Sequence, residues 1–234
     1  MRLRVIYTPA QIAAFRPGSE EACAVVDQLR ATSTQVTALA AGAASILAVR
    51  TVEEARALRQ RLPGALLAGE RKGIPLEGFD LGNSPREMTA ERVAGRTIVH
   101  TTTNGTVALL ACAGARAIHA ASFLNLSAVA AALAGEEEVA LLCAGTEADF
   151  SLEDALVVSA LAERLQPAHP AAALWRAWGA DPAAFLRRTV NGRRLQTLGL
   201  GEDIGATLPI DRFALVPRGE VEDHAGLRAV RLTA

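Results

Sequence analysis

The chain has 234 residues, half of them hydrophobic and 21% charged. That apolar content offsets the ordering entropy and excludes a disordered chain, and the length fits one large domain or two small ones. With 24 basic and 25 acidic residues the net charge is −1, so no global field draws the chain to nucleic acid or an anionic membrane, and any anion must be held by a local constellation.

Residues 3–7 and 22–26 read as the first strands. A helix follows over 32–41, a strand over 45–49, a helix over 52–61 and a strand over 65–68. A long loop punctuated by Gly69, Gly73, Gly78 and Gly82 then runs to Ser84-Pro85, a helix start with Ser84 as cap and Pro85 at the first position. The rhythm resumes with strands over 97–100, 117–121 and 139–143 and helices over 104–113, 127–133 and 152–165. Residues 171–189 read as helical, broken at Gly179 and Pro182, and 212–216 and 227–232 read as the last strands. Alternating elements with near-continuous apolar strands imply an α/β fold: a mixed, largely parallel sheet with helices on both faces, three layers in all. No linker separates a second unit, so 1–234 is expected as a single domain with 166–234 as a C-terminal segment packed on the main body.

Ala41-Gly42-Ala43 with Ile46 echoes Ala113-Gly114-Ala115 with Ile118, and Leu66-Leu67-Ala68-Gly69-Glu70 resembles Leu141-Leu142-Cys143-Ala144-Gly145. An internal duplication is therefore a candidate, set against a generic alanine-rich rhythm. Cys23, Cys112 and Cys143 fit neither a zinc pattern nor a disulfide framework; Cys23 and Cys143 read as buried strand thiols, and a reducing cytoplasm is expected. Met1-Arg2-Leu3-Arg4-Val5-Ile6 lacks the apolar core of a signal peptide, and no apolar run is long enough to span a bilayer.

Ligands of open α/β sheets bind beyond the carboxyl ends of strands, and four such ends carry chemistry. After the second strand come Asp27, Arg30, Thr32, Ser33 and Thr34. The carboxylate suits a metal or a nucleophilic role, the arginine suits forked recognition of a phosphate or sulfonate, and the hydroxyls open a helix; a capped helix with a surface arginine is the alternative. Cys23 and Arg30 are one residue too far apart for a cysteine-phosphatase loop, and Leu29 stands where a haloacid-dehalogenase phosphatase needs an aspartate. In the long loop Glu70, Glu77 and Asp80 are oxygen donors of the kind Mg²⁺ prefers. Thr101-Thr102-Thr103-Asn104-Gly105 offers a second anion cradle, with Gly105 allowing close backbone approach. Ser151 with Glu153 and Asp154 reads as a capped helix start, although the carboxylate pair also suits a metal. The histidines lack partners at metal-ligand spacing, and His100 is expected to be structural rather than catalytic. Lys72, the single lysine, is given no role.

Taken in order, Asp27-x-Leu29-Arg30-Ala31-Thr32-Ser33-Thr34, Gly69-Glu70-Arg71 with Glu77 to Pro85, Thr101 to Thr106, Cys143-Ala144-Gly145 with Phe150-Ser151-Leu152-Glu153-Asp154, and the tail Gly192-Arg193-Arg194-Leu195, Asp203-Ile204 and Val216-Pro217 resemble the 2-phosphosulfolactate phosphatase family over nearly the whole chain. The resemblance implies a Mg²⁺-dependent hydrolase with an α/β fold, converting 2-phosphosulfolactate to 3-sulfolactate and phosphate, a step towards coenzyme M. It brings Arg71, Asn83 and Gly145 in as substrate-binding candidates beside Thr32, Ser33, Thr102, Thr103, Asn104, Gly105 and Ser151. Asp27 and Arg30 become catalytic candidates, and Asp27, Glu70, Glu77, Asp80, Glu153 and Asp154 metal candidates. His100, Asp149 and Thr207 depart from the family pattern, and an acid at Asp149 would weaken a sulfonate subsite that it faced. A phosphatase of another small phosphorylated acid, or a non-catalytic anion-binding homologue, remains the alternative. A homodimer is the default expectation for a soluble protein of this kind.

Overall fold

The computed structural model describes residues 1–234. In chain order its elements are β1 (Arg2–Ile6), α1 (Pro9–Ala14), β2 (Glu21–Val26), α2 (Ala31–Ala40), β3 (Ser45–Ala48), α3 (Val52–Arg61), β4 (Leu66–Arg71), β5 (Ile74–Pro75) and α4 (Ala90–Val93). Then come β6 (Thr97–Thr101), α5 (Gly105–Ala111), β7 (Ala117–Ala121), α6 (Leu126–Leu133), β8 (Glu138–Cys143) and α7 (Leu152–Leu165). The C-terminal part holds α8 (Ala173–Trp178), α9 (Pro182–Arg188), α10 (Val190–Thr197), α11 (Glu202–Ala206), β9 (Arg218–His224) and β10 (Leu227–Thr233).

Local chemistry places many of these boundaries. Thr8 with Gln11 and Thr51 with Glu54 form capping boxes that start α1 and α3, and the Ser151 hydroxyl accepts from Asp154 N–H to start α7. Alternate residues of β2 face opposite sides: Ala22, Ala24 and Val26 pack with α6 and α7, and Cys23 and Val25 pack with α1, α2 and α5. On the other half of the sheet, Leu47, Leu67 and Val99 pack under α3. Helices thus cover both faces of one mixed, mostly parallel sheet.

The strand order is β1-β8-β2-β7-β9-β10-β3-β6-β4-β5. β2 lies between β8 and β7 and β6 lies between β3 and β4, all in parallel pairs. Exchanging the unit β2-α2-β3-α3-β4 with the unit β6-α5-β7-α6-β8 reverses this order onto itself, so the halves are related by a topological two-fold. The two sequence echoes fall on equivalent places. Gly42 and Gly114 end α2 and α5 with φ of 92° and 102°, values that cost glycine nothing, and the second echo pairs β4 with β8.

The antiparallel β9–β10 hairpin joins the halves, pairing with β7 on one side and β3 on the other. The strand expected at 212–216 is irregular. Its groups bond elsewhere, Phe213 N–H to Leu124 O and Leu215 O from Asn125 Nδ2, and Pro217, which has no N–H for a ladder, precedes the true start at Arg218.

Candidate active site

A polar pocket forms where strand ends from both halves meet. Asp27 follows β2, Glu70 ends β4, Thr103 and Asn104 follow β6, and Gly145 follows β8; all line it. β2 and β6, and β4 and β8, are two-fold equivalents, so the pocket sits where the two units face each other. The ends meet directly: Thr103 N–H donates to Glu70 Oε1 at 2.9 Å and Asn104 Nδ2 to Gly145 O at 2.6 Å, which joins the ends of β6, β4 and β8.

Asp27 Oδ1 accepts from the Ala31 N–H at 3.1 Å, so the carboxylate caps the start of α2. Oδ2 has no protein partner and is not sealed from solvent, so it faces the pocket. Burial pushes the Asp27 carboxyl up to about 7, opposed by the Ala31 N–H and reinforced by the charges of Glu70 and Glu153, with Arg30 pulling down. Behind it, Asp154 accepts from Gln28 N–H at 2.8 Å and Gly145 N–H at 3.0 Å, which ties β2 to the loop after β8. Burial, then Asp27 and Glu153, push Asp154 far above the usual carboxylate range, and burial pushes Glu153 up as well. Glu153 Oε1 is buried with no partner.

Glu70 is fixed from three sides. Its Oε1 accepts from Thr103 N–H at 2.9 Å and Thr103 Oγ1 at 3.1 Å, and its Oε2 accepts from Gly73 N–H at 2.6 Å. Arg30 donates to Asp203 Oδ2 at 2.7 Å and to Gly73 O at 2.9 Å. Ser84 Oγ donates to the other Asp203 oxygen at 2.6 Å. The Arg30–Asp203 pair is wholly buried, a geometry in which removing one partner strands the other charge.

The sequence matches the 2-phosphosulpholactate phosphatase family over residues 7–221. The chain belongs to that family. A probable 2-phosphosulfolactate phosphatase of Deinococcus radiodurans is 40% identical over 221 residues, covering 90% of this chain and 92% of its own length. A protein of the same description from Thermotoga petrophila is 42% identical, covering 82% and 86%. Another from Carboxydothermus hydrogenoformans is 37% identical, covering 95% of both chains.

The site candidates read from the sequence fall into two sets. Asp27, Arg30, Glu70, Asn83, Thr103, Asn104 and Gly145 line the pocket. Thr32 and Ser33 do not: their hydroxyls donate to backbone carbonyls of Asp27 and Ala121 and of Gln28, and both side chains are fully buried. The start of α2 is therefore capped from within rather than open to an anion. Thr102 is spent on Thr106 across the start of α5, and Ser151 on Asp154 N–H. Arg71 points away from the pocket, donating to Glu70 O, Arg50 O and Thr101 Oγ1. Glu77 is exposed outside the pocket. Asp80 pairs with Arg59 at 3.0 Å and accepts from Leu67 N–H at 2.8 Å, which pins the loop to β4. Glu153 and Asp154 lie buried behind the pocket wall. Gly105 is needed for a different reason from the one expected: it approaches Asp27 and Ala31 rather than a ligand, and its φ is not positive. Asp149 is exposed and does not line the pocket, so it does not oppose a ligand there.

Sequence reasoning missed Lys72, Thr146, Glu147, Asn191 and Arg194 in the lining. Lys72 and Gly73, both at positive φ, form the two-residue turn of the β4–β5 hairpin, where a long loop was expected; Lys-Gly is not one of the dipeptides that mark such a turn. Lys72 makes no ion pair, whereas Arg194 pairs with Glu147 at 2.7 Å. Asn191 donates to Thr146 Oγ1 at 2.9 Å, and that contact spans the C-terminal helices and the loop after β8.

Proposed function

We propose that this protein is a Mg²⁺-dependent phosphatase that hydrolyses 2-phosphosulfolactate to 3-sulfolactate and phosphate. The observation that carries the reading is Asp27. Its free Oδ2 faces a polar pocket beside Glu70, and its proton affinity is raised towards neutrality by burial and neighbouring acids. Such a cluster of hard oxygen donors suits a small divalent cation. Mg²⁺ takes one or two carboxylates and completes its shell with water and phosphate, and Asp27 and Glu70 both line the pocket. These two would hold the ion, and bound there it would neutralise phosphoryl oxygens during displacement. Lys72, exposed in the lining and without an ion-pair partner, would attract the anionic ester. Asn83, Asn104 and Asn191 line the pocket; Asn104 Nδ2 donates to Gly145 O at 2.6 Å and Asn191 Nδ2 to Thr146 Oγ1, which leaves the Asn83 amide to donate to a phosphoryl or acid oxygen.

A second reading, a phosphate ester with fewer charges, is favoured by one observation. The substrate above carries phosphate, sulfonate and carboxylate, yet Lys72 is the one lining cation without a carboxylate partner. Phosphate release is measured over a panel of phosphorylated three-carbon acids, with Mg²⁺ and with EDTA. Release from 2-phosphosulfolactate that EDTA abolishes supports the first reading, and release only from less charged esters supports the second. Ligand-induced thermal shifts without release from any ester would reject both.

A further inference from the structure

Behind the pocket wall, three side chains form a buried row. Gln35 Nε2 donates to His100 Nδ1 at 3.1 Å, and His100 Nε2 donates to Asn83 Oδ1 at 3.2 Å. Gln35, His100 and Asn83 are all buried. Burial, with the Arg71 charge adding, lowers His100 to about 4, so the ring is neutral at physiological pH. A neutral imidazole has one donor nitrogen and one acceptor nitrogen, and the row uses one of each.

The rest of Asn83 is also held. Its carbonyl accepts from Thr34 Oγ1 at 2.9 Å, and the next residue, Ser84, is bonded to Asp203. With the backbone pinned on both sides, the freedom left is rotation of the amide, and His100 sets it. Asn83 Nδ2 has no protein partner, yet it is not among the buried orphan atoms, and Asn83 lines the pocket. Nδ2 therefore opens into the pocket.

We propose that His100, held by Gln35, is a positioning residue that fixes Asn83 with its Nδ2 hydrogens turned into the pocket as a donor to a ligand's anionic oxygen. The proposal rests on the phosphatase reading for the identity of that anion. Gln35 Oε1, buried and unpartnered, shows what is at stake. With the Gln35 amide reversed, Gln35 Oε1 would accept from His100 Nδ1–H, His100 Nε2 would become the acceptor for Asn83 Nδ2, and Asn83 would present Oδ1, an acceptor, to the same anion. The histidine tautomer thus decides whether this wall attracts or repels phosphate.

Two measurements test this. ¹⁵N NMR of histidine-labelled protein, with the His100 signals assigned by their loss in His100→Phe, should show a bare Nδ1 and a protonated Nε2. Calorimetry with inorganic phosphate should show the dissociation constant rising about fivefold to tenfold in His100→Phe and in Asn83→Leu, the size of one charge-assisted hydrogen bond. Ester KM should rise in parallel, with kcat changed by less than about threefold. In the Asn83→Leu background, His100→Phe should add nothing, because a residue acting through Asn83 has no route without it. Where His100→Phe does not fold, Gln35→Leu, which removes the Nδ1 donor, takes its place in the same cycle. An Nδ1–H tautomer, unchanged phosphate affinity, or an equal additional loss in the Asn83→Leu background overturns the proposal. The expected tautomer and phosphate pattern without release from any ester would reject the phosphatase reading and leave this positioning role standing.

Discussion

Substituting Gly105 by alanine tests whether Asp27 is placed by packing. A Cβ at position 105 would lie 2.6 Å from Ala31 Cβ, 2.7 Å from Asp27 Oδ2 and 3.2 Å from Asp27 Cβ. None of these neighbours is the far end of a flexible chain. Ala31 is fully buried in the first turn of α2, and Asp27 is held by the Ala31 N–H. One of them must move, and either movement stretches the 3.1 Å bond between them. Overpacking of a closed site costs about 1–3 kcal/mol, which lowers Tm by roughly 2–4 °C for each kcal/mol in a domain of this size. The catalytic cost should be larger in proportion, because the displaced atom is Oδ2 itself; kcat should fall by tenfold or more, ~1.4 kcal/mol in the barrier. Gly205→Ala is the control. That glycine lies in α11 with nothing within 4 Å of its added Cβ, so this variant should match or exceed wild-type stability. Urea denaturation and phosphate-release kinetics on both variants decide the matter. A Gly105→Ala protein with wild-type Tm and wild-type kcat would show that Asp27 tolerates displacement and would refute the reasoning.

In metal-free protein, Asp27 should make stability fall as pH rises. Its folded-state value, about 7, lies above its ordinary 3.8, so the folded state binds the extra proton between those values and stability declines through that window. Asp27→Asn should flatten this slope in urea melts run from pH 4 to pH 8, be more stable than wild type at pH 8, and lose phosphatase activity. Glu70→Gln replaces an acceptor that serves Thr103 and Gly73 with an amide whose N–H₂ faces one of those donors. It should cost about 1–3 kcal/mol of stability and abolish the thermal shift that Mg²⁺ gives wild type; an undiminished Mg²⁺ shift would remove Glu70 from the metal site. Lys72→Met should leave stability within about 0.5 kcal/mol, since Lys72 is exposed and unpaired, and should raise ester KM, with the effect shrinking as salt is added. An unchanged KM at low salt would show that Lys72 does not attract substrate.

The sequence by itself determined the local elements. Residues 52–61 and 152–165 were expected as helices and 117–121 as a strand, and these coincide with α3, α7 and β7. Caps at Thr51 and Ser151 and the apolar period are written in adjacent residues, and so is the position of Asp27 one step beyond β2. The echo at Gly42 and Gly114 was likewise local, a turn that needs positive φ at each helix end. Tertiary structure decided which polar residues were left free. Thr32, Ser33 and Thr102 look like ligands in sequence, but folding turns the Thr32 and Ser33 hydroxyls onto backbone carbonyls and has the Thr102 hydroxyl accept from the Thr106 N–H, partners that only the closed turns supply. Glu70 rather than Glu77 or Asp80 reaches the pocket because it ends β4 beside β6, where the Thr103 N–H can hold it. Arg30 meets Asp203 across 173 residues, and the β9–β10 hairpin enters between β7 and β3. Periodicity and capping record burial and local hydrogen bonding, whereas such pairings depend on which distant segments meet once ten strands have paired into one sheet.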